Sequence, residues 1–396
     1  MTAEPTSTGQ RRTSDAGGEG SPASPAVNGA ALHDAFSLFG AAEGSLLSWF
    51  ARGLAETLSA RGLRQVDAAG GEARLVVNFL DPARPRPYRR RSQATFVVGV
   101  VWLPDEPRDV LREGYPLMIR GLCNLLILLA GDAGGRPRAT HFVTLEQGSY
   151  PVKASPATPE AYFEEIYERV RPLATSTLVI NNIFDEDLPE ELWEGDELTR
   201  QLSWAGKKLA ELDLLPAPFP IQEILEPEDM RHVQRLYGLG GLSYGNLSVR
   251  KDATRFWMSA SGVNKADLRV PGRDMLLVKG YDPERNAMLL SVPKGIQPRR
   301  VSVDAIEHWM IYTEHPQVGA IVHVHAWMEG VVSTQVNYPC GTYQLAKAVA
   351  DLVRQAPDPS RAVIGLKNHG LTITGRSLPD IFERIEGRIL RQVPMS

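Results

Sequence analysis

Cysteine is almost absent from this chain: only Cys123 and Cys340 occur in 396 residues, far apart and outside any C-x-x-C spacing. That excludes a disulfide framework, argues against a closed structural zinc knot, and points to a reducing, cytoplasmic setting. Charge of one sign is also lacking. The formal net charge is −4 at pH 7, so there is no global electrostatic case for nucleic acid or a membrane surface as partner. Long apolar runs are missing too. The most apolar segment, Leu122 to Ala130, falls far short of the ~20 residues a membrane span needs and reads as part of a buried helix. Residues 1–31, rich in Gly, Ser, Thr, Pro and Ala, have no apolar core and read as a disordered tail, not a signal peptide.

What is present is length enough for two domains. Leu32 to about Arg61 has apolar residues at roughly helical spacing, and Ala73–Leu80 and Ala94–Leu103 read as strands. A long apolar helix is expected at about Val110 to Ala130, a strand at Thr140–Leu145, a helix at Pro159–Leu173 and a last strand at Thr177–Ile183. These make an N-terminal mixed α/β domain over 32–187. A connector over 188–225 holds a helix, about Asp196 to Leu212, then Pro216, Pro218 and Pro220, which favour extended chain. From 226 to 396 the pattern changes to a helix at Pro227–Tyr237, a glycine-rich turn over Gly238–Tyr244, short strands up to Val292, and helices at about Val303–His315 and Gly341–Arg354.

Chemistry is concentrated in Val322-His323-Val324-His325, which follows the apolar run Val318–Ile321. Side chains alternate along a strand, so histidines at i and i+2 share one face, a chelating geometry. Two half-buried polar residues would give the same spacing, and the pair alone does not decide. A third histidine, His369, follows another apolar run, Ala362–Leu366. Three imidazoles with a fourth position open are the usual catalytic zinc arrangement, because that position can take water or a substrate oxygen.

Around these histidines, in order, stand Gly245-Asn246-Leu247-Ser248, Ser261-Gly262, Asp304, His323 with His325, and Asn368-His369-Gly370. Residues 226–396 thereby resemble the class II aldolase/adducin family, whose members include metal-dependent sugar-phosphate aldolases, epimerases, dehydratases and decarboxylases, and the non-catalytic adducins. The resemblance implies an α/β/α layered domain with a central, mostly antiparallel sheet. It implies that His323, His325 and His369 hold a divalent metal, most often zinc, and that Gly245, Asn246, Ser261, Gly262 and Ser302 contact a substrate phosphate. It also implies a homo-oligomer.

Asp304 falls where the family carries its acid/base or metal-facing carboxylate; the other reading is a helix N-cap. His308, one turn later, is either a further ligand or a packed helix histidine. Several features depart from the family pattern. Ser302 is followed by Val303 instead of a second serine, though Lys294, Arg299 and Arg300 could compensate or form a solvated turn. The connection Ala326–Cys340 is short, and the segment after Gly375 has no tyrosine to donate a proton. In the first domain, Arg84, Arg86, Arg89, Arg90 and Arg91 surround Tyr88, either as an anion or acidic-partner site or as a solvated loop. The expected function is metal-dependent lyase chemistry, an aldol or retro-aldol cleavage through an enediolate. Asp304 is expected to move the proton of a small hydroxy-carbonyl substrate, phosphorylated or not. The alternatives are an adducin-like scaffold and a same-fold decarboxylase, dehydratase or epimerase.

Overall fold

The computed structural model describes residues 35–68, 73–90, 92, 94–131, 136–146, 148–152, 158–212, 225–231 and 245–396. The expected N-terminal tail, Pro216 to Pro220, the turn Gly238–Tyr244 and Arg91 lie outside the described residues.

The first sheet is built from β1 (Ala35–Phe39), β2 (Arg64–Gln65), β3 (Leu75–Leu80), β4 (Phe96–Leu103), β5 (Leu125–Ala130), β6 (Ala139–Thr144) and β7 (Ser149–Pro151). Their order is β2-β1-β3-β4-β5-β6-β7. Pairings from β2 to β5 are parallel, and β6 and β7 add antiparallel. Helices Ser45–Ala60 and Pro159–Thr175 cover one face, meeting through Trp49, Phe50, Tyr162 and Phe163. Helix Val110–Arg120 covers the other.

Two expected helices are corrected here. Leu122–Ala130 does not continue the helix from Val110. The chain turns at Leu122, with φ at 52°, and Leu125–Ala130 becomes β5, buried along its whole length. A strand covered on both faces shows a continuous apolar run instead of alternation, which is why it resembles a buried helix. Likewise, Ala35–Phe39 is a strand, separated from the helix beginning at Ser45 by Gly40 and Gly44, both at positive φ.

The second sheet comprises β8 (Asn181–Asp185), β9 (Gly245–Arg250), β10 (Phe256–Ser259), β11 (Met275–Asp282), β12 (Ala287–Ser291), β13 (Ala320–Val324), β14 (Val332–Ser333), β15 (Val363–Leu366) and β16 (Gly370–Gly375). In the order β14-β15-β16-β13-β9-β10-β11-β12-β8, only the two edge pairings are parallel. Helices Glu197–Glu211 and Leu378–Ile385 pack together, as do Ala305–Glu314 and Tyr343–Gln355, giving the layered α/β/α arrangement expected.

The strand expected to close the first layer at Thr177–Ile183 belongs instead to this second sheet. As β8 it pairs with the otherwise open edge of β12, and its partly exposed side chains are those of an edge strand. Helix Glu197–Glu211 follows it. The Asp196 carboxylate caps that helix through Thr199 and also accepts from Lys251 at 2.7 Å, tying the helix start to the second sheet.

Candidate metal centre and cavity

His323 lies in β13, buried between β9 and β16, and His325 follows just past the strand end. His369 sits in the turn joining β15 to β16. Asn368 before it adopts φ of 58°, a left-handed conformation that asparagine tolerates better than most residues. Two motif glycines have a steric cause. A Cβ at Gly245 would strike the His323 carbonyl oxygen, and one at Gly370 would strike that of Val324, so bare backbone lets β9 and β16 close on the histidine-bearing end of β13.

The three rings converge. One ligand atom from each of His323, His325 and His369 lies within 4.8 Å of the others. The Nε2 atoms of His323 and His369 are 3.1 Å apart. The Nδ1 of His323 donates to the Leu371 carbonyl at 3.0 Å, which leaves Nε2 as the lone-pair atom. The Nδ1 of His369 is 3.0 Å from Oε1 of Glu146, which follows β6 of the first sheet. Burial, partly opposed by Asp304, pushes His323 down to about 4, and burial with two neighbouring imidazoles takes His325 well below its usual value. Burial would lower His369 as well, but the Glu146 hydrogen bond and charge outweigh it. His323 and His325 are thus held neutral, Leu371 and Glu146 orient the His323 and His369 rings, and a divalent ion would displace any proton on His369 Nε2, so the donor set fits one.

All nine expected site residues line one cavity of about 1000 Å³: Gly245, Asn246, Ser261, Gly262, Ser302, Asp304, His323, His325 and His369. Asp304 precedes helix Ala305–Glu314 but makes no capping hydrogen bond with its side chain. Its Oδ2 accepts from Asn246 Nδ2 at 2.6 Å and its Oδ1 from Cys340 Sγ at 2.9 Å. Burial would raise it, yet His323, His369 and the Cys340 thiol together hold it below the usual carboxylate range. Asn246 thus gives an amide hydrogen to Asp304. His308 is a packed histidine, its Nδ1 2.7 Å from Ser248 Oγ.

Four residues of this region carry no recognisable signal in the sequence. Glu146 reaches His369 across 223 positions. Cys340 reads there only as a non-ligand. Lys265 is buried in the cavity wall, donating to the Ala260 and Val263 carbonyls, and burial brings it down to about 8. Glu307, behind the site, accepts from Thr372, and burial together with Asp304 lifts it to about 8. The arginine cluster divides: Arg84, Arg86 and Arg89 are at the surface, whereas Arg90 binds the Leu122 carbonyl and Asn124 and lines the cavity. Arg299 and Arg300 also line it, while Lys294 is exposed outside it. Among the described residues no helix is long and apolar enough to cross a membrane.

The layered sheet, the three converging imidazoles and the buried carboxylate beside them are the arrangement that the resemblance of residues 226–396 to class II aldolases implies. Residues 230–339 match the family described as Class II Aldolase and Adducin N-terminal domain. A methylthioribulose-1-phosphate dehydratase from Leptospira biflexa serovar Patoc is 34% identical over 83 residues, 20% of this chain. That match spans only 35% of the relative's length. One from Citrobacter koseri is 27% identical over 172 residues, 36% of this chain and 78% of that protein. Among solved structures, L-fuculose-1-phosphate aldolase from Thermus thermophilus aligns at 20% identity with a TM-score of 0.30, covering 47% of this chain and 86% of that one.

Proposed function

We propose that this chain is a metal-dependent lyase acting on a small hydroxy-carbonyl compound that bears an anionic group. The observation that carries this reading is the meeting of His323, His325 and His369 with the buried carboxylate of Asp304 in one cavity. A divalent ion held by the three imidazoles, zinc being the first candidate, supplies Lewis acidity toward substrate oxygens.

Asp304 is the proton carrier. Its two hydrogen bonds fix its orientation, and a carboxylate with about four lone-pair sites keeps room for a substrate hydroxyl. In retro-aldol cleavage it takes the proton of the β-hydroxyl as the Cα–Cβ bond breaks. The electron pair stays on the α-carbon fragment, and a proton returned there completes the turnover. Arg299 and Arg300 give the cavity wall the charge to hold a phosphate or carboxylate, alongside the small residues Ser261 and Gly262.

A second reading follows from the names of the two dehydratase relatives. In dehydration Asp304 would instead take the proton of the carbon beside the carbonyl and return it to the departing β-hydroxyl, which leaves as water while the carbon chain stays intact. Purified protein loaded with zinc or manganese and screened on small sugar phosphates separates the two. Aldehyde release marks cleavage, and an enone or diketone product marks dehydration. Turnover in neither assay, with no stoichiometric metal bound, would overturn both. The homo-oligomer implied by the family resemblance belongs to the same proposal, and light scattering on the purified protein tests it.

A further inference from the structure

We propose that Glu146 of the N-terminal domain is a positioning residue for the metal site: its carboxylate holds the His369 ring so that Nε2 faces His323 and His325. This rests on the reading of the three histidines as a metal site. The Glu146 carboxylate is 3.0 Å from Nδ1, and the opposite ring nitrogen is the one turned to His323 Nε2 at 3.1 Å. A carboxylate behind a ligating imidazole fixes its tautomer and raises its basicity. His323 receives the corresponding support from its own sheet, through Leu371. His369 receives it from another domain.

The surroundings make this a built contact. Glu146 lies in the turn between β6 and β7, and that turn is closed by the Thr144 amide donating to the Gly148 carbonyl at 2.9 Å. Met395 packs against the first domain's core beside Gly148. The neighbouring Ser396 exchanges two hydrogen bonds with the Asn368 side chain, next to His369, each at 2.9 Å. The cavity itself is walled by both domains, with Arg90, Asn124 and Arg169 facing the residues around Asp304. The N-terminal domain is therefore part of the active site.

The test is zinc affinity of the full-length protein, measured by competition with a chromophoric chelator. E146A is expected to weaken zinc binding by roughly 10- to 100-fold. E146Q, whose amide oxygen still accepts from Nδ1–H, is expected to recover most of that loss. Melting of the metal-free variants is followed in parallel. Zinc affinity of E146A within about twofold of the parent overturns the assignment. So does an equal loss in both variants that tracks an equal fall in metal-free melting temperature, because Glu146 would then only clamp two domains. H323A serves as the reference. If it keeps parental zinc affinity, the metal-site reading has failed; if it loses zinc while E146A does not, only the role of Glu146 has.

Discussion

Cys340 Sγ lies 2.9 Å from Oδ1 of Asp304, so the carboxylate proposed to move the substrate proton is held by a thiol. Burial and the adjacent Asp304 charge push that thiol well above its ordinary range, keeping it protonated and donating. C340A removes one of two donors, and a decrease of roughly 10- to 150-fold in kcat/KM is expected, in line with ~1.5–3 kcal/mol for a hydrogen bond to a charged group. C340S should retain most activity. Because the thiolate is the reactive form, iodoacetamide should label Cys340 slowly at neutral pH, which peptide mass spectrometry reads directly.

D304N keeps the shape of the carboxylate but not its capacity to accept a proton. Metal content should remain at parental level, while kcat falls by about 10² to 10⁴, the range for removal of a general base. Loss of metal together with activity would place Asp304 among the ligands instead.

Removing the metal should lower stability as well as activity. An ion bound only by the folded state contributes about 2.7 kcal/mol when present at 100 times its dissociation constant. Chelation should therefore lower the melting temperature by several degrees, and H325A should lose both the stoichiometric metal and this sensitivity. Elemental analysis and thermal melts with and without chelator check it.

The histidine cluster is legible because its geometry is local and leaves a mark: alternation in a strand puts His323 beside His325, and Asn368-His369-Gly370 marks a tight turn against β13. Asp304 is legible only as a choice between cap and carboxylate; its side chain makes no capping hydrogen bond and meets Asn246 and Cys340 instead. Glu146 left no mark. Its partner is 223 positions away, beside the other sheet, and a carboxylate at a turn carries no local pattern. β5 and β8 were misplaced for a related reason. Whether a run of leucines is strand or helix, and which sheet edge an amphipathic segment completes, depends on neighbours distant in the chain.

Glu307 and the buried histidines should shape the pH dependence of metal-free stability in opposite directions. His308 and His323, neutral in the fold down to about 3 and about 4, are protonated in the unfolded chain below its ordinary 6.5. Stability they leave intact above pH 6.5 is therefore lost as pH falls toward their folded values. Glu307, raised to about 8 by burial and by Asp304, keeps its proton in the fold after the unfolded chain has released it above 4.5. That favours the unfolded state as pH climbs from 4.5 to 8, at about 1.4 kcal/mol per pH unit. Stability from these groups should peak near pH 6.5. E307Q, which mimics the protonated acid, should flatten the decline between 6.5 and 8. Urea titrations across that range check it, and an unchanged slope in E307Q would show that Glu307 ionises freely in the fold.

G370A probes how the fold holds the site. The added methyl would meet the Val324 carbonyl oxygen and the His325 Cα, backbone atoms that cannot rotate away. β16 must then draw back from β13, which costs a register of hydrogen bonds that starts at Val324 and Leu371. A destabilisation of about 1–3 kcal/mol is expected, in the range of overpacked buried positions and above most surface substitutions. The displacement acts on His369, one residue before, and on His325, one residue after Val324, so metal affinity should fall even in the fraction that remains folded. Chelator competition at a temperature well below the lowered melting point separates the two effects. Full zinc affinity in folded G370A would mean that the histidine cluster adjusts independently of the strand that carries it.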